Sequence, residues 1–173
     1  MKKNPQEKQL LTGSRFDVHA MELTGSDGQV YIREVIRHPG AVVLLPVLED
    51  GRIVMIENYR PSIDQTLLEL PAGTREPGET AETTAARELI EETGYRAEKL
   101  EPMTSFFSAP GICDEEMYLY LATGLTAGDA EREAVEQIEN RIVSVADLHT
   151  MIEEGKIRDA KTLVGLLLYL RIK

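Results

Sequence analysis

Between Gly73 and Tyr95 the chain reads GTREPGETAETTAARELIEETGY. Thr80 is a candidate N-cap, acidic residues occupy the first turn, and Gly94 stands just past the last turn, so the segment is expected to form a helix with defined ends. Ala81, Ala85, Leu89 and Tyr95 trace one apolar stripe and leave the charges on another face. There Glu88, Glu91 and Glu92 fall at i, i+3 and i+4, so their side chains leave from neighbouring points. Glu79, at the helix start, can fold back toward the same edge. Carboxylates crowded in this way repel one another, and a hard divalent cation such as Mg²⁺ or Mn²⁺, which takes oxygen ligands, reverses the repulsion. Arg87 can pair with one carboxylate and hold its orientation. The competing reading is a solvated charged face, which accounts for most glutamate runs.

The charge balance of the whole chain bears on that choice. Nineteen Lys and Arg against thirty Asp and Glu give a net charge of −11, which argues against holding nucleic acid or an anionic membrane by bulk electrostatics. A phosphate-binding protein of this charge needs a metal ion between the phosphate and its own carboxylates. Cys113 is the single cysteine, so neither an internal disulfide nor a cysteine-based zinc site is expected, and His19, His38 and His149 lie too far apart in sequence for zinc pairing. The opening MKKNPQEKQLL is basic without the apolar run of a secretion signal. The apolar stretches Ala41–Leu48 and Leu163–Leu170 are too short to span a bilayer. A cytoplasmic location is expected.

The 173 residues suffice for one domain with a real core, or for a core plus a small appendage. Residues 1–9 read as polar and frayed, and residues 10–38 as short strands around the turn Gly25-Ser26-Asp27-Gly28. Pro39-Gly40 marks a boundary, which divides the chain into a 1–38 strand region and a 39–173 main domain. AVVLLPVL and RIVMIENYR follow as strands joined by a hairpin turn at Glu49-Asp50-Gly51, the first apolar on both faces as in a covered central strand. SFFSAP and EMYLYLATGL flank the loop from Gly111 to Glu115, RIVSV is a last strand, and helices are expected over Ala146–Glu154 and Ala160–Ile172. Strands mixed with three helices give an α/β chain, a mixed sheet sandwiched between helices.

The helix sits inside a wider pattern, G-x5-E-x7-R-E-U-x-E-E-x-G-U with U bulky and apolar. Gly73, Glu79, Arg87, Glu88, Leu89, Glu91, Glu92, Gly94 and Tyr95 fill it, a coincidence expected roughly once in 10⁸ starting positions from average residue usage. This segment resembles the signature box of the Nudix hydrolases, with Tyr95 in place of the commoner aliphatic residue. The resemblance implies a Nudix-like α/β/α sandwich with a small N-terminal antiparallel-strand region, and metal-assisted hydrolysis of nucleoside diphosphates linked to another moiety. It further implies Glu88 and Glu92 as principal metal ligands, Glu91 as a further ligand or water-binding group, and the carbonyl of Ala72 as another ligand. Arg87 would orient the glutamates, and Glu79 would support either the helix start or the ligand shell. Mg²⁺ is the implied cofactor, with Mn²⁺ as an alternative.

Residues outside the box bear on substrate. ENYRPSIDQTLLELPAG, and Pro110 fifteen residues beyond Tyr95, resemble the ADP-ribose pyrophosphatase branch, as does IRDAKTLVGLLLYL. The likeness runs over roughly residues 30–170. It makes Arg60 a candidate for the terminal phosphate or diphosphate, against a plain surface arginine. Glu69 is a candidate for substrate or partner contact, against a structural strand residue. In this branch the base that activates water often comes from an acidic loop. Here that points to Glu136, then Glu133, then Glu139, against a solvated acidic loop. The N-terminal strands would build a homodimer and help to hold the nucleotide base, with Arg37 and Tyr31 or Phe16 as candidates, although Ile32 stands where some relatives carry tryptophan. Phe16 and Tyr31 also suit a dimer core. Cys113, His38, Tyr118 and Tyr120 read as ordinary loop or packing residues.

The reading is a cytoplasmic, homodimeric pyrophosphatase that cleaves ADP-ribose to AMP and ribose 5-phosphate, acting on a small molecule and on neither nucleic acid nor membrane. The alternatives are the same chemistry on another nucleoside diphosphate sugar such as GDP-mannose, or a non-catalytic nucleotide-binding module of the same fold.

Overall fold

The computed structural model describes residues 6–132 and 137–172. Its first layer is a three-stranded antiparallel sheet in the order β1 (Glu7–Thr12), β2 (Asp17–Thr24), β3 (Val30–Arg37). The GSDG turn closes the β2–β3 ladder, with Gly28 at φ 79° and the amide of Gln29 donating to Asp27 Oδ1 at 2.9 Å. The first strand begins at Glu7, where the sequence suggested a frayed end. Its residues pair along β2 from Glu7 with Met21 to Thr12 with Asp17, a partner that local composition does not reveal. Where β3 ends, the amide of Ile36 donates to the carbonyl of Ile112 and that of Asp114 to Ile36, which ties this sheet to the main body.

Two further sheets form the body. The four-stranded sheet runs β7 (Ala72–Thr74), β4 (Ala41–Pro46), β9 (Glu116–Ala127), β8 (Tyr95–Phe107), and the three-stranded one runs β10 (Ile138–Val143), β5 (Ile53–Arg60), β6 (Gln65–Glu69). β4 and β9 are parallel and the other pairs antiparallel, so the expected mixed sheet is present. Every residue of β4 is buried. Its even face, Val42 and Leu44, packs on Ala85 and Leu89 of the helix α1 (Ala81–Glu88) and its continuation. Its odd face, Val43 and Leu45, meets Ile53 and Met55 of β5, Leu148 of α2 (Val145–Glu153), and Leu166 and Tyr169 of α3 (Ala160–Ile172). A leucine such as Leu44, fully buried between these layers, costs about 2–5 kcal/mol when truncated to alanine.

The Glu49-Asp50-Gly51 turn reverses the chain as a hairpin turn does, with the amide of Leu48 donating to the carbonyl of Arg52 at 2.9 Å. The antiparallel pairing goes no further than Val47 with Ile53, because β4 and β5 belong to different sheets and the turn carries the chain from one to the other. The strand written as SFFSAP is also longer at its start, running from Tyr95 directly after the helix cap. Among the described residues no helix is long and apolar enough to cross a membrane.

Candidate active site

Thr80 caps α1 by accepting from the amide of Thr83 at 3.1 Å, as its position suggested. The helix is not regular to its end. After Glu88 it widens into a π-turn over Leu89–Thr93 and stops at Gly94, whose φ of 79° is left-handed. The hydroxyl of Thr93 donates to the carbonyl of Leu89 inside this turn, and its oxygen accepts from the amide of Tyr95. The expected i, i+3, i+4 patch therefore straddles the change from α to π winding. Such turns occur frequently at functional sites because they re-aim side chains that a regular helix would space evenly.

Arg87 organises the acidic residues. Its Nε and Nη2 donate to the two oxygens of Glu79 at 3.2 and 3.0 Å, Nη1 donates to Glu88 Oε1 and Glu91 Oε2 at 2.7 Å each, and Nη2 reaches the carbonyl of Thr74. The Arg87 hydrogen bonds outweigh burial and hold the Glu79 carboxyl at about 2. Glu79 also accepts from the hydroxyl of Thr84 and the amide of Glu76, so it anchors the helix start and the guanidinium together.

The remaining carboxylates press against β7. Glu92 Oε2 accepts from the amide of Ala72 at 2.8 Å, and the Glu88 carboxyl lies over Gly73, where a Cβ would stand 1.8 Å from its Cδ. Glu88 and Glu92 are both buried. Glu88, Glu91 and Glu92 line one wall of a cleft of about 460 Å³, which Arg60, Arg15 and Asn58 also line. Among the described residues no three Asp, Glu, His or Cys side chains are already gathered around a common point, since Glu88 and Glu91 turn toward Arg87 and Glu92 toward Ala72. The acidic side chains of the cleft nevertheless offer oxygens alone, the chemistry that hard divalent cations take.

Arg60 lies at the cleft edge and is held from behind by Glu69, with Nε on Oε1 at 2.9 Å and Nη2 on Oε2. Glu69 is 1% exposed and also accepts from Lys161. The structure thus brings together Ala72, Glu88, Glu91, Glu92, Arg87 and Arg60, with Glu69 behind Arg60. It separates the others. Arg37 pairs with Glu7 and Asp114 and shares a second cavity, of about 280 Å³, with Pro110. Tyr31 donates to Asp27 at 2.6 Å, across the turn that follows its partner strand, and Phe16 is exposed on the N-terminal region. Glu139 is exposed on β10, opposite Glu57. Glu136 and Glu133 lie outside the described residues, but the chain on either side of them docks on the π-turn: the amide of Glu131 donates to Glu91 O, Arg132 Nε to Glu92 O, and Asn140 Nδ2 to Thr93 O.

Sequence reasoning did not single out Arg15, Asn58, Arg132, Asn140 or Lys161. Only Lys161 carries a local signal, a cation inside the helix-opening run Asp159-Ala160-Lys161-Thr162-Leu163. The rest are brought in by long-range contacts.

A family model described as NUDIX domain matches residues 36–164. An ADP-ribose pyrophosphatase of Bacillus subtilis (strain 168) is 37% identical over 169 residues, covering 96% of this chain and 91% of that one. A methanol dehydrogenase activator of Bacillus methanolicus is 38% identical over 170 residues, 92% and 90% of the two chains. An ADP-ribose pyrophosphatase of Mycobacterium tuberculosis (strain ATCC 25618 / H37Rv) is 39% identical over 117 residues, 67% of this chain and 56% of that one. A solved structure titled as an ADP compounds hydrolase superimposes with a TM-score of 0.83 over 98% of this chain and 94% of its own, at 22% identity, a likeness of fold. The box geometry around Arg87, the shared fold and a family match spanning most of the molecule have one common source: the chain belongs to the Nudix hydrolase family.

Proposed function

We propose that this protein hydrolyses the diphosphate bond of ADP-ribose to AMP and ribose 5-phosphate with a divalent metal ion, Mg²⁺ with Mn²⁺ as a substitute. The observation that carries the reading is the cleft in which Glu88, Glu91 and Glu92 face Arg60. The full-length likeness to an ADP-ribose pyrophosphatase supports the substrate.

Glu88 and Glu92 would hold the metal, with Glu91 and the Ala72 carbonyl completing the set. The crowding of Glu88 on Gly73 fits this, because a carboxyl seated over a bare backbone lets side-chain and carbonyl oxygens converge. When bound, the metal supplies positive charge to the diphosphate oxygens and lowers the pKa of a water. Arg87 keeps Glu88 and Glu91 aimed, and Arg60 pairs with a phosphate oxygen. Water attacks phosphorus, the P–O anhydride bond breaks toward the leaving phosphate, and a carboxylate of the acidic stretch, Glu136 first and Glu133 or Glu139 next, takes the proton of the water.

Residues 1–38 serve dimerisation and base contact, and residues 39–173 carry the chemistry. On one face of the N-terminal sheet Val30 and Ile32 are exposed, and on the other Leu23 and Tyr31, apolar area that suits contact with a second copy. Arg37, Tyr31 and Pro110 contact the nucleotide once that interface forms. The net charge and the short apolar segments agree with a cytoplasmic enzyme acting on a small nucleotide sugar.

The test is product analysis with Mg²⁺ and a panel of ADP-ribose, GDP-mannose, UDP-glucose and NADH. Rapid conversion of ADP-ribose to AMP and ribose 5-phosphate is expected. Preference for GDP-mannose overturns the substrate, and binding without turnover of any compound overturns the chemistry.

A further inference from the structure

Behind Arg60 lies a chain of buried charges that the Nudix box does not include. Lys161, at the first turn of α3, is 7% exposed along its side chain. Its Nζ donates to Glu69 Oε2 at 2.5 Å and to Asp159 Oδ2 at 2.8 Å. Asp159 also accepts from the amide and the hydroxyl of Thr162, and the hydroxyl oxygen of Thr162 accepts from the amide of Leu70. Glu69 in turn holds Arg60 through both of its oxygens. Two cations and two carboxylates thus balance, in the order Asp159, Lys161, Glu69, Arg60.

Each link has a physical reason. Glu69 is almost wholly enclosed, so its charge needs more than one donor. Arg60 provides a two-point contact from the exposed side and Lys161 a point charge from the buried side. Lys161 cannot drift, because Asp159 grips it and is itself fixed by Thr162. Helix α3 is seated close enough for this, since Gly165 leaves room for Leu70, whose Cδ1 would lie 2.6 Å from a Cβ there. Arg60 spends Nε and Nη2 on Glu69, while its Nη1 makes no hydrogen bond among the described residues. The guanidinium is therefore oriented by the network and keeps a donor for the cleft. The same arginine borders a neighbouring cavity of about 400 Å³, which Glu69, Asp159 and Lys161 also line, so its orientation decides which space the free donor serves.

Resting on the pyrophosphatase reading, we propose that Lys161 is a positioning residue for substrate binding: through Glu69 it fixes the Arg60 guanidinium that receives a phosphate oxygen. Replacing a whole buried ion network by apolar groups often leaves stability little changed, whereas removing one member strands its partners, so Lys161→Met is expected to lower the melting temperature as well, and the change in KM is what reads the direction of the guanidinium.

The test is a double-mutant cycle on the intact chain, with steady-state kinetics and melting temperature measured for wild type, Lys161→Met, Arg60→Ala and the double variant. Lys161→Met is expected to raise KM about tenfold with kcat within about twofold of wild type. Combined with Arg60→Ala, it adds less than about twofold to the KM of Arg60→Ala alone, because nothing remains to be positioned. Lys161→Arg, which keeps the charge, recovers part of the KM. A lowered melting temperature with unchanged KM overturns the proposal and leaves Lys161 a structural residue. Additive effects overturn it in favour of direct contact between Lys161 and substrate. If Lys161→Met does not fold, Asp159→Asn loosens the same chain from its far end and is read against the same outcomes. The cycle is run on whichever compound of the panel wild type turns over, so failure of ADP-ribose itself counts against the substrate assignment alone.

Discussion

Gly73 and Glu88 occupy each other's space: a Cβ on Gly73 would lie 1.8 Å from the Glu88 Cδ and about as close to both carboxyl oxygens. The glycine's φ does not lie in the left-handed region, so the requirement is for room and not for an unusual backbone. Because the opposing group is the end of a flexible side chain, Gly73→Ala should move the carboxyl and leave the fold standing. Turnover is expected to drop by about a hundredfold or more, with a melting temperature within a few degrees of wild type. Kinetics alongside thermal unfolding check this. A normal kcat would show that the seat of Glu88 does not matter.

Glu92 accepts the Ala72 amide through Oε2, and the carbonyl oxygen of a glutamine can keep that bond. Glu92→Gln should therefore fold while losing charge in the proposed metal set. In wild type, Mg²⁺ or Mn²⁺ at about a hundred times its dissociation constant is expected to add about 2.7 kcal/mol of stability, seen as a rise of several degrees in melting temperature that a chelator reverses. In Glu92→Gln that rise shrinks, and kcat falls at least about a hundredfold while ADP-ribose still binds. Unchanged turnover would remove Glu92 from the metal set.

Acid should dissolve the Glu79–Arg87 pair in a defined window. The Glu79 carboxyl sits at about 2 in the folded chain against an ordinary 4.5. A depressed folded value means that the pair stabilises fully above the unfolded value and is lost as pH falls through the folded one. The stability gap between wild type and Glu79→Gln should be constant above about pH 5 and close on the way down to pH 2. Urea unfolding midpoints at intervals across that range, measured with chelator present, test it. A gap that persists at pH 2 would assign the effect of the substitution to packing.

Ile32 is 48% exposed and Val30, two residues earlier on the same face of β3, 61%. If these side chains meet a second copy, Ile32→Glu places a charge in the interface, and the dimer should dissociate at micromolar concentration. Light scattering coupled to size exclusion reads the mass directly. A wild-type monomer would remove the dimer, and an Ile32→Glu dimer would move the interface elsewhere.

What the chain could disclose locally, it did. The helix from Thr80 to Gly94 follows from a cap, a stripe and a left-handed glycine, and β4 follows from six apolar residues that suit burial on both faces. The acidic patch could also be read, since its members lie within one turn of each other. The π-turn could not, because its wider winding is a matter of backbone bonding, and the spacing of the glutamates is the same in either winding.

The limits follow from the range of the forces. Propensity, capping and periodicity act over a few residues, so sequence alone determined the box, its helix and the family resemblance that residues 36–164 bear out. Only tertiary structure decided that the Glu49-Asp50-Gly51 turn changes sheets, that Arg37 and Pro110 stand apart from the carboxylate cleft, and that Lys161, far along the chain, reaches Glu69 behind Arg60. The first two rest on which strands and loops meet once the layers close, and the last on a buried charge, which takes its partner from whatever the fold brings near.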